Sequence, residues 1–286
     1  HLVKCTREHD MTSKASVAHL AECILAVPDD VVIILWSGIP CTGGSTAQNG
    51  NKYKSQQRER MMKHYELWYL LFSNLVFLCS CVFKKRGHVV IEWPASCRYW
   101  NEKVVKSILS YPIWCDTRLS GCAFGLSPTS GLNAGKFMAK PWRLMSTMDS
   151  LSQSVGRKCP GGPGHVHTDS QGHRASISGK YPPRLVTALH KHFSTVSHSS
   201  VSIMQYAEMF KQLAYDMHER PIPYNESHII SDFAVIAVPA AVAVAATTNV
   251  VSCVRNSSSD CLRAPAPHTC RRSMRAVLGM IRGTMT

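Results

Sequence analysis

The 286-residue chain is long enough for one large α/β domain with a tail, or for two small domains, and either can bury a hydrophobic core. Lysine and arginine number 32 against 18 aspartate and glutamate, which gives a formal net charge of +14. This excess favours a polyanionic partner such as nucleic acid over a partner with an acidic surface, with an ordinary basic surface as the alternative because the charge is dispersed.

The cysteines indicate the redox compartment. Twelve cysteines occur without regular spacing, and several lie in apolar runs where a reduced cysteine packs as a small hydrophobic residue. We therefore expect an intracellular protein, nuclear or cytoplasmic, in a reducing environment. The chain opens HLVKC, with neither an initiator methionine nor a signal-peptide pattern. This opening predicts a fragment or one piece of a larger reading frame.

The first half of the chain alternates helices and strands. A helix from about Ser16 to Leu25 precedes a β-branched strand, Val31 to Trp36, and a second buried strand covers His88 to Glu92. Between the strands, residues 53–83 contain no glycine or proline and suit a crossover helix, and residues 101–110 form a third helix. This order predicts an α/β fold with a doubly wound, mostly parallel sheet.

Two apolar runs are long enough to raise the question of a membrane span. Residues 67–83 and the alanine-rich residues 233–251 are the two candidates. Buried helices of a water-soluble domain have the same length and composition. We expect both runs to be buried segments, and no membrane partner is favoured.

The second half of the chain begins with a loop. Residues 156–179 have loop composition, and helices follow at 182–193 and 201–220. Periodicity fades beyond about residue 221. We therefore divide the chain as follows: a domain at 1–220 with a loop-rich insertion at 145–180, and a partly disordered tail at 221–286.

Cys41 is the most distinctive candidate residue. It lies in the turn GIPCTGGS, directly after the first predicted strand. In an open α/β sheet the chemistry lies beyond the carboxyl ends of the strands. Pro40 restrains the backbone before the cysteine, and the following glycines allow a substrate to approach closely. A thiol there is a nucleophile if cationic groups lower its pKa; the alternative is a cysteine that merely packs in a turn.

The order of several short motifs resembles the DNA cytosine carbon-5 methyltransferase family. Pro40, Cys41 and Ser45 match a Pro-Cys-Gln-x-Phe-Ser turn that follows a strand in that family. The tripeptide HDM at 9–11 stands in the place of Gly-Asp-Ile, and EWP at 92–94 stands in the place of Glu-Asn-Val. The resemblance implies a Rossmann-like methyltransferase core.

Weaker matches extend the resemblance to about residue 193. GCAFGL at 121–126, KPWRL at 140–144 and GKYPPRLVTALHKHF at 179–193 are similar to later family motifs. The glycine-rich cofactor turn of the family, Phe-x-Gly-x-Gly, has no counterpart in residues 1–9. The chain thus resembles a divergent, incomplete copy, and it is also similar to retroelement-associated segments.

The resemblance implies a definite chemistry. Cys41 adds to carbon 6 of a cytosine, Glu92 holds the ring through N3 and the amino group, and Arg143 binds at the oxygen side or at phosphate. Asp10 and Pro40 are the residues implied to contact S-adenosylmethionine, the methyl donor. Such an enzyme must swing the base out of the duplex, so DNA is the implied partner.

A non-catalytic function remains the alternative at this point. The same fold can serve as an inactive nucleic-acid-binding or interaction module, so enzymatic activity is left open. The basic segment KYKSQQRERMMKH at 52–64 can contact the phosphate backbone. It can equally be the solvated first turns of the crossover helix.

One loop also carries metal-binding residue types. Cys159, His165, His167 and His173 have the spacing C-x5-H-x-H-x5-H, and cysteine and histidine are the ligands that zinc prefers. The spacing matches no zinc-finger class. We expect exposed histidines in a loop and no dedicated metal site, with a zinc site as the alternative.

Overall fold

The computed structural model describes residues 3–4, 10–45, 55–128, 133–168, 179–219 and 241–244. The helices are α1 (Lys14–Leu25), α2 (Ser55–Lys84), α3 (Lys103–Leu109), α4 (Leu151–Val155), α5 (Pro183–Phe193) and α6 (Gln205–Glu219). The strands are β1 (Val3–Lys4), β2 (Ile34–Gly38), β3 (His88–Pro94), β4 (Cys115–Ser120), β5 (Phe137–Met138), β6 (Pro141–Ser146), β7 (His167–Thr168) and β8 (Ala241–Val244). The predicted α/β class is confirmed.

Six of these strands form one mixed sheet, in the order β1-β8-β2-β3-β6-β4. β2 and β3 pair in parallel, with Ser37 opposite Ile91. The other four pairs of this sheet are antiparallel. The prediction of a mostly parallel sheet is therefore corrected. The physical reason is that β6 runs between β3 and β4 in the opposite direction to both, and an antiparallel return needs no crossover helix.

Helices cover both faces of the sheet. Because side chains alternate along a strand, Ile33 and Leu35 face one core and Ile34 and Trp36 face another. The first core lies between the sheet and α1, α2, α3 and α6. The second core lies between the sheet and α4 and α5. Burial on both faces explains the continuous apolar run that precedes the turn at Cys41.

A capping residue and a first-turn proline set where α1 and α5 begin. The hydroxyl of Ser13 accepts a hydrogen bond from the backbone N–H of Ser16 and caps α1. Pro183 occupies the first turn of α5, where its missing N–H costs no hydrogen bond. Each helix then buries one apolar stripe against the sheet.

The long helix α2 is a core helix. Within the described residues, Glu59–Lys84 is the one helical segment long and apolar enough to cross a membrane, with a mean hydropathy of 1.7. However, 78% of its most apolar window is buried inside the protein. Phe83, for example, packs edge-to-face on Phe210 of α6, with 5.0 Å between ring centroids. Most of the second apolar run, 233–251, lies outside the described residues.

Candidate active site at the carboxyl ends of β2 and β3

The turn that carries Cys41 is fixed to the neighbouring strand. The indole N–H of Trp93 on β3 donates a 2.8 Å hydrogen bond to the carbonyl of Ile39. Cys41 then begins a short 3₁₀ turn, and its carbonyl accepts a 2.9 Å hydrogen bond from the N–H of Gly44. The thiol of Cys41 is partly buried at the edge of the first core. Trp93, which departs from the family motif, therefore positions the cysteine turn.

The two glycines of the turn are required by packing. A Cβ atom on Gly44 would lie 2.7 Å from Sγ of Cys97 and 3.0 Å from the ring of Tyr99. A Cβ atom on Gly43 would collide with the hydroxyl of Tyr99. Tyr99 cannot retreat easily, because its ring stacks on Trp68 of α2 with 4.1 Å between centroids. The turn can therefore carry no larger residues while it keeps this position.

Glu92 lies on β3, beside the end of β2. A Cβ atom on Gly38 would lie 3.4 Å from Oε2 of Glu92, so the carboxyl group rests against the backbone of β2. The hydroxyl of Tyr181 donates a 2.6 Å hydrogen bond to the same oxygen. The indole N–H of Trp36 donates in turn to the Tyr181 hydroxyl, at 3.3 Å. This chain of hydrogen bonds fixes the carboxyl group at the sheet edge.

Cys41 and Glu92 are electrostatically linked. Burial raises the pKa of the Cys41 thiol; the ammonium group of Lys140 acts to lower it, and the Glu92 carboxylate raises it further. Burial likewise raises the pKa of Glu92, against Lys140 and the Tyr181 hydrogen bond, which lower it. One lysine therefore acts on both groups at the carboxyl ends of β2 and β3, although Cys41 packs against the first core and Glu92 lies on the second-core side of the sheet with Tyr181.

A second thiol lies beside the first. Burial raises the pKa of Cys97, and the nearby Cys41 raises it further. Cys97 is buried under the turn, whereas Cys41 is partly exposed. Cys41 is therefore the less buried residue of this pair.

Arg143 lies away from Cys41 and Glu92. Its neighbours on β6, Trp142 and Leu144, face the second core, and alternation directs Arg143 to the opposite face of the sheet. There its guanidinium makes two 2.9 Å contacts with Oδ2 of Asp116 and lies 4.8 Å from the ring centre of Trp100. The structure does not bring Arg143 to the other candidate residues.

The candidate cofactor residues lie in exposed or loop positions. Both carboxylate oxygens of Asp10 are engaged by Thr12, one by its N–H at 2.9 Å and one by its hydroxyl at 2.8 Å. This turn leads into α1. Pro40 is partly buried and precedes Cys41 as expected. The structure therefore places Pro40 in the cysteine turn and gives Asp10 a turn-forming contact of its own.

Sequence reasoning missed two residues of the cluster, Lys140 and Tyr181. Both stand in segments that the resemblance singled out, KPWRL and GKYPPRL, but attention fell on the arginine of the first and the proline turn of the second. A buried carboxylate needs a donor and a cation nearby. The need of a buried Glu92 for a hydrogen-bond donor and a nearby cation could therefore have directed attention to Tyr181 and Lys140.

The basic segment at 52–64 follows the cysteine turn in the chain and lies beside it in the structure. Its described part forms the first turns of α2, where Lys63 pairs with Glu59 at 2.7 Å and Arg60 is exposed. The Cβ atom of His64 lies 3.4 Å from a Cβ atom built on Gly43. The amino-terminal part of α2 therefore borders the Cys41 turn.

A separate cluster forms in the loop that carries the metal-binding residue types. Cys159, His165 and His167 come together with Cys122, which sequence spacing did not indicate. His173, the fourth residue of the predicted set, lies outside the described residues. Among the described residues, the structure therefore brings three of the four candidate side chains together and adds Cys122 to them.

Comparison with protein-family models, with curated proteins and with solved structures finds no match to this chain.

Proposed function

We propose that the chain carries a DNA (cytosine-5) methyltransferase-like domain in which Cys41 is the nucleophile. One observation carries the proposal. Cys41 and Glu92, which the resemblance pairs, lie at the carboxyl ends of adjacent parallel strands, and the carboxylate of Glu92 acts on the thiol. Active sites of open α/β sheets are built at this edge.

The topology supports a Rossmann-like core for this domain. β2, β3 and β4 run in the same direction, because β6 is antiparallel to both β3 and β4. Helices cover both faces. Two strands of the sheet are reversed, β8 beside β2 and β6 beside β3, so parallel pairing is confined to β2 and β3. Mixed sheets occur in many doubly wound folds. The mixed sheet is thus compatible with a doubly wound methyltransferase core.

The chemistry assigned to the site divides between two side chains. The thiolate of Cys41 forms a bond to carbon 6 of a cytosine, and the electron pair displaced from the 5,6 double bond makes carbon 5 nucleophilic. Glu92, whose pKa is raised by burial, retains its proton more readily than an exposed glutamate and can donate it to N3. A stacked base cannot reach these groups, so it must leave the duplex.

Lys140 replaces Arg143 in the proposed site. Its ammonium group lowers the pKa of the thiol and favours the reactive thiolate. It also stabilises negative charge that develops on the ring during addition. Arg143, which is held by Asp116 on the face of the sheet opposite to Glu92, has a structural role.

S-adenosylmethionine remains the proposed methyl donor, with Asp10 and Pro40 as its proposed contacts. The described residues do not by themselves fit this cofactor. Both oxygens of Asp10 already accept hydrogen bonds from Thr12, and residues 10–37, which precede the cysteine turn, contain no glycine. The residues assigned to chemistry here are therefore those that act on the base.

An inactive nucleic-acid-binding module is the second candidate. Its support is the raised pKa of Cys41 together with the Tyr181 hydrogen bond, which already occupies one oxygen of Glu92. A thiol in this state reacts slowly. The net charge of +14 supports phosphate contacts under either function.

The two functions are separated by a methyl-transfer assay on duplex DNA with S-adenosylmethionine carrying a labelled methyl group. Label in 5-methylcytosine with the unmodified chain and with Cys115→Ser, a control that removes a partly buried cysteine elsewhere, but none with Cys41→Ser, would support the methyltransferase. Absence of transfer by the unmodified chain, with salt-sensitive DNA binding retained, would support the binding module.

A further inference from the structure

We propose that Cys122, Cys159, His165 and His167 form a structural zinc site. Each residue offers one ligand atom, and these four atoms lie within 4.8 Å of one another. Two thiolates and two imidazoles are a ligand set that zinc prefers over the hard oxygen-binding cations. The site is distinct from the Cys41 cluster and holds if the proposed methyltransferase function fails.

The distances in the cluster are close to those of a tetrahedral site. With Zn–S bonds of about 2.3 Å and Zn–N bonds of about 2.0 Å, neighbouring ligand atoms of a tetrahedron lie roughly 3.3 to 3.8 Å apart. Sγ of Cys159 lies 3.6 Å from Nε2 of His167, inside this range. The widest pair needs to close by about 1 Å, which side-chain rotations of the exposed His167 and the half-buried Cys159 can supply.

His165 provides an independent indication of a ligand. Its ring is stacked on Phe137 at 4.4 Å between centroids and lies edge-on to His167 at 4.7 Å. Its Nε2 atom is buried and has no hydrogen-bond partner among the described residues. A buried ring nitrogen without a partner is costly. A metal ion that accepts its lone pair removes that cost.

The backbone around the cluster brings distant segments together. Cys122 is buried in the 3₁₀ turn Gly121–Phe124 that follows β4, and His167 begins β7, which pairs in parallel with β5. The intervening loop turns sharply at Gly161, Gly162 and Gly164, whose φ angles are all positive. The ligands thus join the end of β4 to a loop some forty residues later.

Few apolar contacts and a short strand pair stabilise this loop in the absence of a metal. Val166 is 56% exposed, and each strand of the β5–β7 pair has two residues. A segment with so few buried apolar side chains gains its order from another source, and a metal that binds only the folded form supplies it. Four protein ligands leave no open position for water, so the site is structural and not catalytic.

Cobalt binding tests the proposal, because Co²⁺ replaces Zn²⁺ and reports thiolate and tetrahedral coordination by its visible and near-ultraviolet absorption. The full chain is freed of metal, reduced, and titrated with Co²⁺ and then with Zn²⁺. We expect a saturable thiolate charge-transfer band that zinc abolishes. Cys159→Ser, at a half-buried ligand in the loop, should lose about half of that band and bind Zn²⁺ at least tenfold more weakly.

Matched variants make the result specific. Cys115→Ser and His190→Ala remove the same residue types outside the cluster and should bind cobalt as the unmodified chain does. Hydrogen exchange should show that zinc protects residues 156–168 and leaves α2 unchanged. The proposal is overturned if the unmodified chain gives no charge-transfer band, if Cys159→Ser keeps the full band, or if Cys122 and Cys159 instead form a disulfide that persists in reductant.

Discussion

The hydroxyl of Tyr181 donates a 2.6 Å hydrogen bond to Oε2 of Glu92, which joins the loop before α5 to the carboxyl end of β3. The two residues are 89 positions apart in the chain. Trp36, on the neighbouring strand, donates to the same hydroxyl. Tyr181 therefore closes the edge of the sheet at which Cys41 lies, and it sets how Glu92 is held.

Replacement of Tyr181 by phenylalanine should destabilise the domain. The change leaves the indole N–H of Trp36 and one oxygen of Glu92 without their partner, which costs roughly 1 to 3 kcal/mol. We expect a loss of that size in the free energy of unfolding, measured by urea denaturation. Tyr111→Phe, which removes the hydroxyl of another packed tyrosine, should cost less. Equal losses in both variants would show that the hydrogen bond to Glu92 contributes nothing.

Glu92→Gln should change how stability depends on pH. The raised pKa means that, above the ordinary glutamate value of about 4.3, the folded chain holds this proton more tightly than the unfolded chain does. Glu92 therefore loses stabilising effect as pH rises through the window between the two values. Glutamine removes this dependence and can still accept from Tyr181.

Urea denaturation at several pH values tests that expectation. The difference in unfolding free energy, Glu92→Gln minus unmodified chain, should increase as pH rises above about 4.3. It should level off above the raised pKa. A difference that stays flat or decreases with pH would mean that burial does not raise the pKa of Glu92.

Lys140 and Arg143 should differ in their effect on the Cys41 thiol. Loss of the ammonium group in Lys140→Ala raises the pKa of Cys41, so alkylation by iodoacetamide at fixed pH should slow severalfold. Arg143→Gln should leave the rate unchanged, because Asp116 holds this guanidinium and Arg143 is not among the groups that shift the pKa of the thiol. Glu92→Gln should accelerate it, because a carboxylate that raises the pKa is removed.

Mass spectrometry of the Cys41 peptide measures these rates, with Cys115 in the same sample as an internal reference. The Cys115 rate should be the same in all three variants. A larger effect of Arg143→Gln than of Lys140→Ala would return Arg143 to the site and remove Lys140 from it.

Gly44→Ala should destabilise the cysteine turn. The added methyl group would lie 2.7 Å from Sγ of Cys97, so the turn or the thiol must move. Overpacking of this kind costs roughly 1 to 3 kcal/mol. Gly38→Ala is the graded control, since its methyl group would meet Oε2 of Glu92 at 3.4 Å. The thermal unfolding midpoint of Gly44→Ala should be lower than that of Gly38→Ala. The reverse order would contradict the tight packing of Gly44 against Cys97 and Tyr99.

The elements that sequence reasoning predicted well are those with strong patterns. The crossover helix predicted at 53–83 is α2, Ser55–Lys84, and the strand predicted at His88 to Glu92 is β3. Continuous apolar runs indicate burial, and capping residues indicate where a helix begins. The first strand begins later than predicted, at Ile34, because the preceding valines are buried without joining the ladder.

The antiparallel part of the sheet was not visible from residue patterns. β4 is an edge strand whose Asp116 and Arg118 face outward, and β6 begins with a proline and carries Arg143. Charged residues and proline weaken a strand signal, although edge strands tolerate both. Strand direction also depends on contacts between distant segments. The pairing that makes the sheet mixed could therefore not be read from the alternation of helices and strands.

The candidate site was predictable only in part. Cys41 follows one buried strand and Glu92 lies near the end of the next, so their position at one edge of the sheet could be expected. Lys140 and Tyr181 reach that edge from segments far along the chain, and no local pattern marks them. The face on which Arg143 lies depends on the exact register of β6 against β3. Register over long separations is not encoded in short motifs.

The most direct test of the central claim is exchange of the hydrogen at carbon 5 of cytosine, measured without S-adenosylmethionine. Addition of the Cys41 thiolate to carbon 6 lets carbon 5 take a proton from water. Loss of the original hydrogen of carbon 5 as a proton, with elimination of the thiolate from carbon 6, then restores cytosine. DNA with tritium at carbon 5 should release it to water with the unmodified chain and with Cys115→Ser, but not with Cys41→Ser. No release by an unmodified chain that binds the DNA, or equal release by Cys41→Ser, would contradict the assignment of Cys41 as the nucleophile.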